Sequence, residues 1–378
     1  MRKPRPEIWL LLASVVITLL VAEFVVSRVF PQPTYGRLLK DSPRIFEASD
    51  VMPYALAPGA VDTFVTREFN IPIRINSLGY RDDEFPLKKT ARLRILAIGD
   101  SFTFGYAGTA AEAYPNVVER ELRTRLGEDD IEVINAGFAA CQYPDTYYLY
   151  LKNRGLALDP DIITVGVFVG NDLDHDLAGE NTWPEVDKDG LPVRIQNTLA
   201  HVENGYWVSR NRSLRYRLPV VRDSHLAQAL ISLLRTAGPE KPRTFNQWMY
   251  RKDYEPRTDE AVAKVEKLLL AMAALARERG IPIVFIVMPT REQVYPEDCD
   301  FSADAFMAGY DLDKPQRLLA EFFEKNGLTE LDLTPVFRAA PRDTMLYYAL
   351  DQHWNERGNE LAGRAIAEFL IERALVAK

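Results

Sequence analysis

The sequence predicts an α/β fold. It is a three-layer α/β/α body around a five-stranded parallel sheet of flavodoxin-like order 2-1-3-4-5, preceded by an N-terminal transmembrane helix. Three observations predict it. Five short apolar runs (93–98, 131–135, 162–169, 281–288 and 328–333) have the length and composition of strands buried on both faces. Segments of helical pattern alternate with them, several opening on proline and closing on glycine. A single apolar stretch, Ile8 to Val29, is long enough to span a bilayer.

Composition narrows the classes of function. The chain has 378 residues, 47% hydrophobic and 26% charged, as in an ordinary globular body. A net charge of -8 argues against a nucleic-acid partner, which needs a basic face. The two cysteines, Cys141 and Cys299, make neither a disulfide framework nor a zinc site; one bridge and two buried thiols both stay open. No cofactor is expected. Gly99 to Thr103 lacks the second glycine of a Gly-x-Ser-x-Gly elbow, and neither a phosphate loop nor a dinucleotide fingerprint follows. Asp172, Asp174 and Asp176 resemble the start of a calcium loop, but Leu177 and Trp183 stand where glycine and glutamate are required.

In chain order, Arg2, Lys3 and Arg5 precede the apolar stretch, which predicts a retained anchor over 1–30 with its start in the cytoplasm and the rest outside. Glu23 interrupts it near the outer end. Residues 31–60 carry five prolines and read as a spacer, and 61–84 as a hairpin, so that 31–90 forms a linker and leading hairpin. The first strand, Leu93 to Ile98, ends at Gly99. A helix from Pro115 to Leu126, a strand Ile131 to Asn135, a helix Pro144 to Arg154 and a strand Ile162 to Val169 follow. After residue 257 come a helix Thr258 to Arg279, a strand Ile281 to Met288, a helix Pro315 to Lys325, a strand Leu328 to Leu333 and a helix Glu356 to Leu375 capped by Asn355. Residues 91–171 and 258–378 thus make the sheet domain.

Residues 172–257 are too long for a loop and are expected to be an insertion that roofs the carboxyl edge of the sheet. It holds a hairpin from Trp183 to Ile195, a basic run from Arg210 to Arg217 and a helix from Leu226 to Thr236.

Ligands bind at the carboxyl edge of an open α/β sheet, and the residues ending these strands suit one chemistry. Ser101 follows the first strand, Gly137 ends the second, Asn171 follows the third, and Asp351 and His353 follow the fifth. A serine becomes a nucleophile when a base takes its proton, and imidazole titrates near neutrality. A carboxylate would fix the ring's tautomer, and amide donors would hold the oxyanion of an acyl-transfer intermediate. The expected roles are Ser101 as nucleophile, His353 as base, Asp351 as orienter, and the amides of Ser101 and Gly137 with the Asn171 side chain as oxyanion hole. Taken singly, each also has a structural reading: turn serine, packed histidine, capping asparagine, glycine as punctuation.

The segments Gly99-Asp100-Ser101-Phe102-Thr103, Asn135-Ala136-Gly137, Gly170-Asn171-Asp172 and Asp351-Gln352-His353-Trp354-Asn355 resemble the sequence blocks of the SGNH/GDSL hydrolase superfamily. The resemblance runs over about 93–375 apart from the insertion. It implies an α/β/α domain, ester hydrolysis or acyl transfer, and the same site residues. Two positions depart from the pattern: Val169 replaces a glycine of the third block, and Asp351 lies only two residues before His353. The shorter spacing resembles the extracytoplasmic branch that includes polysaccharide O-acetyltransferases. The expected substrate is therefore an acyl ester, above all acetyl, on a cell-envelope polysaccharide. A catalytically inactive carbohydrate-binding or assembly module and a lipid acyl hydrolase are the competing readings.

Overall fold

The computed structural model describes residues 6–32, 43–66, 68–140, 142–174, 181–210, 218–235, 247–298, 309–343 and 345–376. Cys141, Cys299, the acidic loop beyond Asp174 and the basic run beyond Arg210 lie outside the described residues.

Five strands form one parallel sheet: β1 (Leu93–Gly99), β2 (Ile131–Gly137), β3 (Ile162–Phe168), β4 (Ile283–Met288) and β5 (Thr329–Asp332). Their order is β2-β1-β3-β4-β5, the expected 2-1-3-4-5. Every residue of β1 is buried. Its alternating side chains feed two cores: Ile95 and Ala97 one face, Leu96 and Ile98 the other.

On the first face lie α2 (Tyr114–Leu126) and the last long helix, Glu356–Glu372, whose Ile366, Ala367 and Leu370 share a core with Val118 and Leu122. On the other face lie α3 (Pro144–Asn153), the helix Pro256–Glu278 and the helix Lys314–Asn326, whose Phe323 stacks on Phe285 of β4 at 5.0 Å. This completes the three layers.

Two strand starts differ from the sequence reading. Ile281 does not begin β4, because its amide closes the preceding helix on the Ala276 carbonyl at 2.9 Å. Leu328 likewise donates to Phe323 at 2.9 Å, so β5 begins at Thr329.

The amino-terminal segment is more structured than its prolines suggest. Phe46–Glu47 pairs antiparallel with Ala55–Leu56, and Ile45, Met52 and Tyr54 are buried, so residues 43–60 are packed chain and not a free spacer. Val61–Val65 and Asn70–Arg74 form the expected antiparallel hairpin. In 172–257, Asn181–Val186 pairs with Pro192–Asn197 through a turn in which Asp187 Oδ1 accepts from the amides of Asp189 and Leu191. A second hairpin, Ala200–Glu203 with Tyr206–Ser209, sets Trp207 against Tyr54. The first of these hairpins is tied to α3 by the Trp183 Nε1 donation to Asp145 at 2.9 Å.

The helix α1 (Pro6–Val29) has no buried residue and is long and apolar enough to cross a membrane. At 1.5 Å per residue its 24 residues measure about 36 Å, against a hydrocarbon core of about 30 Å. The helix α4 (His225–Arg235) packs beside it.

Candidate active site

β1 ends at Gly99, and Asp100 caps a one-turn helix, Ser101–Phe104, by accepting from Phe102 N–H at 2.9 Å. This helix lies hard on the sheet. A Cβ on Gly99 would come within 2.1 Å of Thr103 Oγ1, and one on Gly137 within 2.1 Å of the Phe104 nitrogen. Both glycines are there for close approach. The helix ends at Gly105 with φ of 75°, and the buried Arg81 guanidinium closes it, donating to the carbonyls of Phe104 (3.0 Å), Gly105 and Gly108. Burial pulls that guanidinium down to about 10, with Glu112 acting against the shift.

The other half of the site is the loop before the last helix. Trp354 is buried against Phe102 and Phe337, both at 4.9 Å. The loop folds back through Tyr348 N–H to His353 O at 2.9 Å and Gln352 N–H to Tyr348 O at 3.2 Å. Gln352 takes a left-handed backbone, with φ of 71°. The His353 ring then lies between Phe102 and Tyr106, at 4.9 and 4.7 Å.

Three of the residues singled out from the sequence meet here. His353 Nε2 lies 2.7 Å from Ser101 Oγ, and His353 Nδ1 lies 2.5 Å from Asp351 Oδ1. Side chains 252 positions apart thus form one chain of hydroxyl, imidazole and carboxylate, with Asp351 and His353 each about one-fifth exposed. Asn171 stands beside them, its Nδ2 3.5 Å from Asp100 Oδ2 and its Oδ1 buried without a partner. Burial pushes the Asp100 carboxyl above the ordinary carboxylate range, while Phe102 N–H, the His353 charge and Asn171 pull it back. Ser101 N–H, in the first turn of its helix, has no intrahelical acceptor.

Gly137 N–H donates to Asn135 Oδ1 at 3.0 Å. The missing side chain of Gly137 also admits the serine helix.

Two residues escaped the sequence reading. Arg81 is one. The other is Glu68, from the turn of the 61–74 hairpin, whose Oε2 accepts from the amides of Leu350 (2.9 Å) and Asp351 (2.6 Å). Both act across long sequence separations, and neither belongs to a local motif.

A parallel sheet with a serine on a one-turn helix at its carboxyl edge, met by a histidine and an aspartate, defines a class of ester-acting and acyl-transferring domains. Residues 244–378 match the family described as SGNH hydrolase-like domain, acetyltransferase AlgX. The matched part includes Asp351 and His353 but ends short of Ser101 and Asn171 on the amino-terminal side. No curated protein matches the chain.

Similar solved structures include an acetylxylan esterase from Geobacillus stearothermophilus, in a catalytic mutant form. It is 16% identical, with 77% of this chain and 97% of that one covered and a TM-score of 0.40. A lipase/acylhydrolase from Enterococcus faecalis is 15% identical over 74% and 96% of the two chains, with a TM-score of 0.39. Likeness at this level carries no assignment of chemistry.

Proposed function

We propose that the protein is a membrane-anchored serine esterase or O-acyltransferase acting on acetyl esters of a cell-envelope polysaccharide. One observation carries the reading: the unbroken contact from Ser101 Oγ through both His353 nitrogens to Asp351. Ser101 Oγ attacks the ester carbonyl carbon as its proton passes to His353 Nε2. Asp351 stabilises the imidazolium through Nδ1. Negative charge gathers on the carbonyl oxygen, where Ser101 N–H and Asn171 Nδ2 are the donors, each worth about 3 kcal/mol in such a site. The intermediate collapses, the leaving alkoxide takes the proton from Nε2, and an acetyl-serine remains. The acceptor, water or a sugar hydroxyl, then gives its proton to Nε2 as its oxygen attacks the acetyl carbon; the bond from that carbon to Ser101 Oγ breaks, and Oγ takes the proton back from Nε2, restoring the serine.

The match to the family described as acetyltransferase AlgX supports acetyl as the group handled. The apolar length of α1 and the basic residues before it support an anchor with the domain on the outer side.

Ser101→Ala is expected to abolish turnover of an aryl acetate, a loss on the order of a millionfold in kcat, with thermal unfolding unchanged. A fluorophosphonate should label Ser101 in the native chain; a native chain that is folded, unlabelled and inactive would leave a binding module. Acetyl esters should be turned over far faster than long-chain esters. Acetate release alone marks a hydrolase, and acetylated oligosaccharide marks a transferase.

A further inference from the structure

The apolar helix α1 carries Glu7 in its first turn and, deep in its apolar stretch, Glu23, and the structure gives Glu23 unusual partners. Its Oε2 accepts from Ser224 Oγ at 2.7 Å and from Leu226 N–H at 2.8 Å, and its Oε1 accepts from His225 N–H at 2.8 Å. A side chain of α1 therefore caps the first turn of α4, from the far side of about 200 residues of chain. A second tie joins Gln32 N–H to His225 Nδ1 at 2.9 Å. Gln228 Nε2 holds the short helix Pro219–Arg222 to α4 through the Val221 carbonyl at 3.0 Å.

Each partner answers a cost that an apolar setting makes large. A carboxylate on a membrane helix is expensive unless paired. The free amides of a helix start must find acceptors where water is absent. In water hydration would meet both needs in part. The joint also lies at the right depth: Glu23 is six residues, about 9 Å, before the outer end of α1 at Val29.

The outward surface of α4 agrees. Leu226, Leu230, Leu233 and Leu234 recur at helical spacing as one stripe. Leu230, Leu233 and Leu234 are 53%, 69% and 81% exposed, and Val220 beside them 84%. A helix with such a stripe, bound to the outer end of an apolar span, has the form of an element lying in a membrane interface.

We infer that Pro219–Arg235 is a second membrane element, which lies in the outer interface of the bilayer with its leucine stripe against the acyl chains, held to α1 by Glu23. The lipid surface is its occupant. The inference rests on α1 being a span and is independent of the chemistry at Ser101. The apolar faces of α1 and α4 belong to one packed pair of helices, so the covering that suits the first extends to the second.

The test uses the full chain in nanodiscs of phosphatidylcholine and phosphatidylglycerol doped with a phosphatidylcholine carrying a diazirine on its acyl chain. After irradiation, peptide mass spectrometry should find lipid adducts within 226–234 as well as within 8–22. Glu23→Ala should lower the adducts on 226–234 about fivefold, the population change expected from losing one helix cap, and leave those on 8–22 unchanged. Adducts on 8–22 with none on 226–234 would overturn the inference, as would crosslinks from α4 to a second copy of the chain in their place. Adducts on neither segment would overturn the span and the inference together, while aryl acetate turnover still tested the esterase reading. Unchanged labelling in Glu23→Ala would remove Glu23 as the tether.

Discussion

The two halves of the candidate site are held in opposite ways. Ser101 rides on a one-turn helix pressed into the sheet, with Gly99 and Gly137 beneath it and the Arg81 guanidinium sealing its end. Asp351 and His353 ride on a surface loop whose backbone is fastened by Glu68, from a hairpin at the other end of the chain. Ser101 is therefore positioned by the core, and His353 by a tether. The difference predicts that damage beneath the serine lowers stability and activity together, whereas damage to the tether lowers activity alone.

The largest effect in this comparison belongs to Asp351→Asn. With the imidazole tautomer no longer fixed, kcat should fall about ten-thousand-fold while the melting temperature holds; retained kcat would remove Asp351 as the orienter. Gly137→Ala comes next. Its methyl would meet the backbone of the serine helix, so that helix must shift. Overpacking of this kind costs about 3 kcal/mol, and a displacement near 1 Å costs about a hundredfold in rate. Denaturant unfolding and kcat should fall together; normal values of both would break the claim that the core sets the nucleophile.

Glu68→Ala should lower kcat about tenfold, the loss of one charged hydrogen-bond acceptor, with KM and melting temperature nearly unchanged. Glu68→Gln should restore most of the rate, because an amide oxygen can still accept from the two backbone donors. A fall in stability matching the fall in rate would make Glu68 an ordinary structural residue.

The smallest effect is one of pH. Burial pushes the Asp82 carboxyl up to about 7, against donations from the amides of Asn135 and Asp83 and from Asn116. The folded chain thus keeps this proton to higher pH than the unfolded chain, whose ordinary value is about 4. The stabilisation is full below about 4 and is lost as pH rises through 7. Between pH 5 and 8 the stability of the wild type should decline by about 2 kcal/mol more than that of Asp82→Asn. Parallel profiles for the two proteins would show that Asp82 ionises freely in the fold.

Most of the sheet was legible from the sequence because each strand is an apolar run stopped by a residue with a distinct backbone or polar character, as Gly99 stops β1. Strand starts were less legible where a helix end claims the first amide, as at Ile281 and Leu328. Ser101, His353 and Asp351 could be named because their residue types have one joint chemistry. Gly137 was legible as a site glycine, but that its lack of a side chain also serves a neighbouring helix is revealed only by the packed sheet. Glu68 and Arg81 had no signature at all, since what they hold are backbone groups of distant segments.

The left-handed Gln352 sits between Asp351 and His353, and its consequence reaches past static geometry. Because Asp351 and His353 share one tight bend, any excursion of that bend carries both away at once. The ring would leave the hydroxyl yet keep its carboxylate, and so return with the same nitrogen ready to receive a proton. Disengagement here is a clutch between two intact parts, and re-engagement needs no re-tuning of either.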